Sequence, residues 1–96
     1  MAVLNCVLRT IELGAFNGLT KLTFLLIHGN DISEIIPGTF KNISNMRLLN
    51  LAYNRLEHLD RDVFSGLVNI KFLNLGYNKL QYLHPDTFLG LRRLQV

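Results

Sequence analysis

The chain is poor in three things, and each absence narrows what it can be. It has one cysteine, Cys6, so neither an internal disulfide framework nor a zinc site built from several thiolates can form. It has no long apolar run: stretches such as residues 22–27 are broken within a few positions by Asn, Gly or charge, and none approaches the roughly 20 residues that span a bilayer. Membrane insertion by this segment is not expected. It also lacks a catalytic arrangement. No Ser, His and acid constellation, no paired carboxylates and no phosphate-cradling glycine loop appears, so the sequence predicts neither an enzyme nor a cofactor.

Charge is sparse as well. Ten Lys and Arg against seven Asp and Glu leave a net +3, and apart from Arg92-Arg93 the basic residues are scattered, so nucleic acid is not implied as a partner. Hydrophobic residues make up 49% of only 96, which is too apolar for disorder and too short for more than one architectural unit. Residues 1–6 offer no basic n-region, no adequate apolar stretch and no small-residue cleavage site. The expectation is a chain without a secretory signal, either cytosolic or cut from something longer.

What the chain does have is a period. Asn30, Asn54 and Asn78 are 24 residues apart, and so are Phe16, Phe40, Phe64 and Phe88. The same interval relates Leu25, Leu49 and Leu73; Ile27, Leu51 and Leu75; Ile32, Leu56 and Leu80; and Leu19, Ile43, Leu67 and Leu91. Read in this register, residues 1–21 are a partial repeat, 22–45, 46–69 and 70–93 are whole repeats, and 94–96 begin another. Within a repeat the alternation at Leu49 and Leu51 is that of a strand, ended by Asn54, and successive strands must be parallel neighbours. The return over residues 59–67 has looser apolar spacing and a glycine near its end, which predicts irregular or short 3₁₀ structure and no full α-helix.

The runs Leu49-Asn50-Leu51-Ala52-Tyr53-Asn54-Arg55-Leu56 and Leu73-Asn74-Leu75-Gly76-Tyr77-Asn78-Lys79-Leu80 closely resemble the leucine-rich-repeat signature, over nearly the whole chain. The return, with Leu59, Phe64 and Leu67, is similar to the 24-residue subclass of animal extracellular proteins that includes Toll-like receptor and variable lymphocyte receptor ectodomains. The resemblance implies an α/β-type solenoid, mostly β: an arc with a parallel β-sheet on its concave face and loops or 3₁₀ turns on its convex face. It also implies a cell-surface or extracellular ectodomain that binds a protein ligand or co-receptor, although a cytosolic chain stays open. Relatives of this kind close both ends with cysteine-rich caps, and neither cap is present. The alternatives that follow are a fragment of a larger ectodomain, or a scaffold that forms homo-oligomers through ends whose Leu and Phe side chains are open to water.

Stacked repeats turn equal positions into columns. Asn30, Asn54 and Asn78 are expected to satisfy backbone groups at the bend after each strand, and Cys6 falls in the same column as a small buried thiol. Phe16, Phe40, Phe64 and Phe88 are expected to form a stacked spine. Gly18, Gly66 and Gly90 share a column with Asn42, which suggests a positive φ at all four. Asn42-Ile43-Ser44 is also an N-glycosylation sequon. His58 aligns with Glu34 and Tyr82, and His84 with Ile36 and Asp60, so no pair of histidines meets and no metal is expected. Asp31, Arg55 and Lys79 form an exposed column whose first two members can pair across repeats.

With Leu and Ile columns inward, the alternate columns face the concave surface: Phe24, Leu48 and Phe72; Leu26, Asn50 and Asn74; His28, Ala52 and Gly76. Arg47 and Lys71 flank them on one side, Tyr53 and Tyr77 on the other. An apolar strip with aromatic and basic margins is the composition of a protein-binding surface, and these residues other than Ala52 and Gly76 are the expected ligand contacts. The competing reading is that Leu48 and Phe72 only shield the sheet, or that Phe24 and Leu26 lie against another part of a longer protein.

Overall fold

Each whole repeat contributes one short strand to the main sheet, where the alternation puts it. A computed structural model describes residues 1–2, 9, 11 and 13–94. Cys6, and with it the expected thiol in the asparagine column, lies outside the described residues, as do Gln95 and Val96 of the expected further repeat. In chain order the strands are β1 (Phe24–Leu26), β2 (Leu48–Asn50), β3 (His58–Leu59), β4 (Phe72–Asn74) and β5 (Tyr82–Leu83). β1, β2 and β4 form one parallel sheet in which Phe24 pairs with Leu48 and Leu48 with Phe72, so the 24-residue sequence period is also the hydrogen-bonding register. Ala2 bridges Leu26 at the same offset, and the Met1 carbonyl accepts the Leu26 N–H at 2.9 Å.

The strands are short because the asparagine column interrupts them. Asn54 Nδ2 donates to the carbonyls of Ile27, Leu51 and Ala52 at 3.2, 3.0 and 3.1 Å, and its Oδ1 accepts the Ile32 N–H of the preceding repeat at 3.1 Å. Asn78 repeats the pattern one turn later on Leu51, Leu75, Gly76 and the Leu56 N–H. One carboxamide thus closes its own bend and fastens it to the neighbouring repeat, answering backbone groups that the end of the strand would leave unpaired.

Side chains of the inward columns fill the space between sheet and return. Leu25, Leu49, Leu51, Ile32, Leu56, Ile43 and Leu67 are fully buried. The phenylalanine spine forms as expected, with ring centroids 5.8 Å apart for Phe16 and Phe40, 6.3 Å for Phe40 and Phe64, and 6.0 Å for Phe64 and Phe88, all stacked. Closure fades along the array. Leu56, Leu59 and Phe64 are at most 1% exposed, whereas Leu80, Leu83 and Phe88 in the next repeat are 39%, 49% and 36% exposed.

The return segments are chains of turns with i to i+3 bonds, such as Ile43 N–H to Phe40 C=O and Leu67 N–H to Phe64 C=O, and the described residues include no helix. They also contain a second parallel pairing that the loose apolar spacing does not reveal, β3 with β5, His58 opposite Tyr82. Two returns held 24 residues apart by the main sheet can exchange ladder bonds themselves, as when Gln81 donates to the Glu57 carbonyl at 2.7 Å.

The expectation of a positive φ at every member of the Gly18 column is corrected. Gly18, Gly66 and Gly90 have φ of +83°, +96° and +91°, but Asn42 is not among the left-handed residues. In its return that conformation belongs to Gly38 (φ +90°), which follows Pro37 in a turn closed by the Thr39 N–H on the Ile36 carbonyl, the position where a Pro-Gly turn demands it. At Gly66 space is the second constraint. A Cβ there would lie 2.7 Å from both the Cα and the carbonyl oxygen of Lys41.

Candidate functional site

The sheet face carries the outward columns in the order the alternation sets. Phe24 and Phe72 are 47% and 52% exposed with Leu48 half-buried between them, while Leu25 and Leu49 on the other side of the same strands are fully buried. Phe24, Leu48 and Phe72 are direct register partners, so they make one continuous apolar strip across three strands. On its margin Arg47 is exposed and Lys71 half-buried. Their backbones are pinned, Arg47 N–H to the Thr23 carbonyl at 2.7 Å and Lys71 N–H to the Arg47 carbonyl at 2.8 Å. Among the described residues the ion pairs are Arg55 with Asp31 at 3.6 Å and Arg61 with Asp86 at 3.9 Å, so neither Arg47 nor Lys71 has a carboxylate partner. The Asp31–Arg55 pair is the expected one and is exposed enough to contribute only about 0–1 kcal/mol.

Two columns differ from their expectation. Asn50 and Asn74 do not simply present their carboxamides outward. Each Oδ1 accepts the backbone N–H two residues on, Ala52 at 3.0 Å and Gly76 at 2.9 Å, and so shapes the bend. In the third column Ala52 is buried, and His28 is half-buried with a covered Nδ1 that finds no hydrogen-bond partner among the described residues. The exposed apolar face is thus narrower than the alternation alone predicts. It centres on the Phe24–Leu48–Phe72 strip and half-buried Leu26.

On the far margin Tyr53 and Tyr77 stack face to face, centroids 4.4 Å apart and planes 6° apart, and are 56% and 76% exposed. Both have φ of +55°, and Gly29 at the same position of the preceding repeat has φ of +72°. The bend after each strand requires a left-handed residue, and a tyrosine there costs roughly 1–2 kcal/mol that glycine does not.

A second asparagine ladder escaped the sequence pattern. Asn45 Nδ2 donates to the Thr20 carbonyl at 2.9 Å and Asn69 Nδ2 to the Ser44 carbonyl at 3.0 Å, tying each return to the one before it. Their equality of position was the available signal, blurred because Lys21 and Arg93 fill the same column elsewhere. Asn42 of the sequon is exposed and donates weakly to Asn17 Oδ1 at 3.4 Å. Among the described residues no cluster of three His, Cys, Asp or Glu could hold a metal, and no helix is long and apolar enough to cross a membrane.

A family profile described as leucine rich repeat matches residues 25–80 and 44–96. The chain belongs to the leucine-rich repeat family. No curated protein matches it. Among solved structures, this leucine-rich repeat array is similar to the protein in a crystal structure of a TLR13–ssRNA13 complex, with a TM-score of 0.81 and 32% identity over 84% of this chain. It is also similar to a leucine-rich repeat protein of Leptospira interrogans, with a TM-score of 0.74 and 30% identity over 90% of this chain. The array spans 11% of the first of those chains and 21% of the second.

Proposed function

We propose that this leucine-rich repeat array is a non-enzymatic protein-recognition module, a segment of an extracellular receptor or adhesion or immune ectodomain that binds a protein ligand on the face of the β1–β2–β4 sheet. The observation that carries the reading is the in-register strip Phe24–Leu48–Phe72. Its two rings stay about half exposed, whereas Leu25 and Leu49 on the other side of β1 and β2 are fully buried. Exposed contiguous apolar surface with aromatic and Arg neighbours is the usual composition of an interface centre. The likeness to TLR13 supports the receptor part. That protein was solved with single-stranded RNA. For this chain the aliphatic and aromatic strip, with only Arg47 and Lys71 beside it, favours a protein partner.

Phe72→Asp tests the reading. In surface plasmon resonance against the captured partner it is expected to weaken binding about 30-fold or more, the loss typical of removing a central anchor, with the circular dichroism spectrum unchanged. Val68→Asp is the control, because Val68 is also 52% exposed but lies on a return segment. Equal losses from both substitutions would count against a sheet-face site.

Asn42 is proposed as a glycan acceptor when the chain passes through the secretory pathway. It is exposed, and its column neighbours Gly18 and Gly66 bring no side chain to obstruct a sugar. Secreted protein is expected to drop in apparent mass after glycosidase treatment, and Asn42→Gln is expected to abolish that drop. A secreted wild-type chain with no such shift would refute the assignment.

A further inference from the structure

The charge on the sheet face is one-sided. In the 24-residue register none of the seven acidic residues occupies an outward strand column or either flanking column; among the described ones, Asp31, Glu34, Glu57, Asp60, Asp62 and Asp86 all fall after the strands or on the returns. The face therefore presents Arg47 and Lys71, both without carboxylate partners among the described residues, next to an apolar strip. On the opposite margin the position that precedes Tyr53 in its column is Gly29, which contributes no ring, so the face of Tyr53 turned away from Tyr77 meets no aromatic neighbour from its own column.

We propose that this face takes an acidic protein segment carrying one flat side chain, the acidic residues meeting Arg47 and Lys71 and the flat group continuing the Tyr53–Tyr77 stack beside Gly29. This rests on the sheet face being the recognition surface. Charge complementarity selects the partner's sign, since a face with cations and no acids attracts acidic chains and repels basic ones. The stack selects a planar group, because an added ring against Tyr53 gains the offset-stacking contact that Tyr77 already makes on the other side. The apolar strip selects protein over nucleic acid, whose phosphates would call for a row of cations where the structure has Phe24, Leu48 and Phe72.

Fluorescence anisotropy with four labelled probes tests it: a short acidic peptide with one Trp flanked by leucines, the same peptide with Trp replaced by Leu, a charge-reversed version, and an oligo(U) strand. The acidic Trp peptide is expected to bind best and to weaken with added salt. Tyr53→Gly, which keeps the backbone the bend requires, is expected to weaken it about three- to tenfold. The same variant should have no further effect on the Leu version, the signature of a direct contact in a double-mutant cycle. Equal binding of the acidic and basic peptides would overturn the charge assignment, and tighter, Tyr53-dependent binding of oligo(U) would overturn the choice of protein. If Phe72→Asp abolishes peptide binding while Tyr53→Gly leaves it unchanged, the recognition face stands and the aromatic contact is refuted. If the acidic peptide does not bind, the proposal is wrong as stated.

Discussion

Asn54→Ala is expected to destabilise the array by about 2–4 kcal/mol, read as a lower urea midpoint with an unchanged slope. The reasoning follows what each backbone partner has left. The Ile27 carbonyl still accepts from Asn30, the Leu51 carbonyl from Asn78, and the Ala52 carbonyl from the Gly29 N–H. The Ile32 N–H alone loses its acceptor, in the interior, where an orphaned donor costs about 1–3 kcal/mol; the vacated space adds the rest. Asn54→Asp is expected to be worse than Asn54→Ala despite its matching shape, because it sets a carboxylate oxygen against three carbonyls. Burial and those carbonyls would hold the carboxyl's pKa above its usual range in the folded state. The folded form then binds the proton more tightly than the unfolded form, so stability should recover as pH falls and be lost as pH rises. An Asp variant insensitive to pH would mean that the bend opens rather than buries the charge.

Phe40→Ala should cost about 3–5 kcal/mol, the largest loss expected from a single truncation here. Its ring is fully buried and has a stacked neighbour on each side, Phe16 at 5.8 Å and Phe64 at 6.3 Å, so its removal opens a cavity and uncouples repeats in both directions. Phe88→Ala is the informative comparison. That ring is 36% exposed and, among the described residues, stacks on Phe64 alone, so roughly 1–2 kcal/mol is expected. Similar losses at both positions, measured by chemical denaturation, would show that stacking between repeats does not set the stability.

The large features of this fold were legible because they are written once per repeat. A column of identical apolar residues can be checked by subtraction, and the strand register, the phenylalanine spine and the asparagine ladder all follow from it. What the sequence hid is local. β3 and β5 are two residues long, too short for an alternation to be recognised, and they pair only because the main sheet has already aligned the returns. Asn50 and Asn74 have outward positions on the strand pattern, yet a carboxamide two residues before a bend has a backbone N–H within reach, and that contact prevails over display. The left-handed tyrosines were hidden for another reason: the bend sets φ by position, and Gly29 in the same column was the only hint. On the sheet face proposed for recognition, the strip and its margins follow from the sequence alternation, while the burial of Ala52 and the stacking of Tyr53 on Tyr77 required three dimensions.

The shared register has a consequence for size. Every tie between neighbours in the sheet, the spine and the ladder joins residues related by one 24-residue step or lying within a few positions of it. Excision of residues 46–69 would therefore set Leu25 beside Leu73, Asn30 beside Asn78 and Phe40 beside Phe88, and each would find the kind of neighbour it has now. Length in such a chain is quantised: it can be gained or lost in whole units with the chemistry of every junction preserved. The footprint offered to a partner changes by the same increment, one outward residue per column at a time.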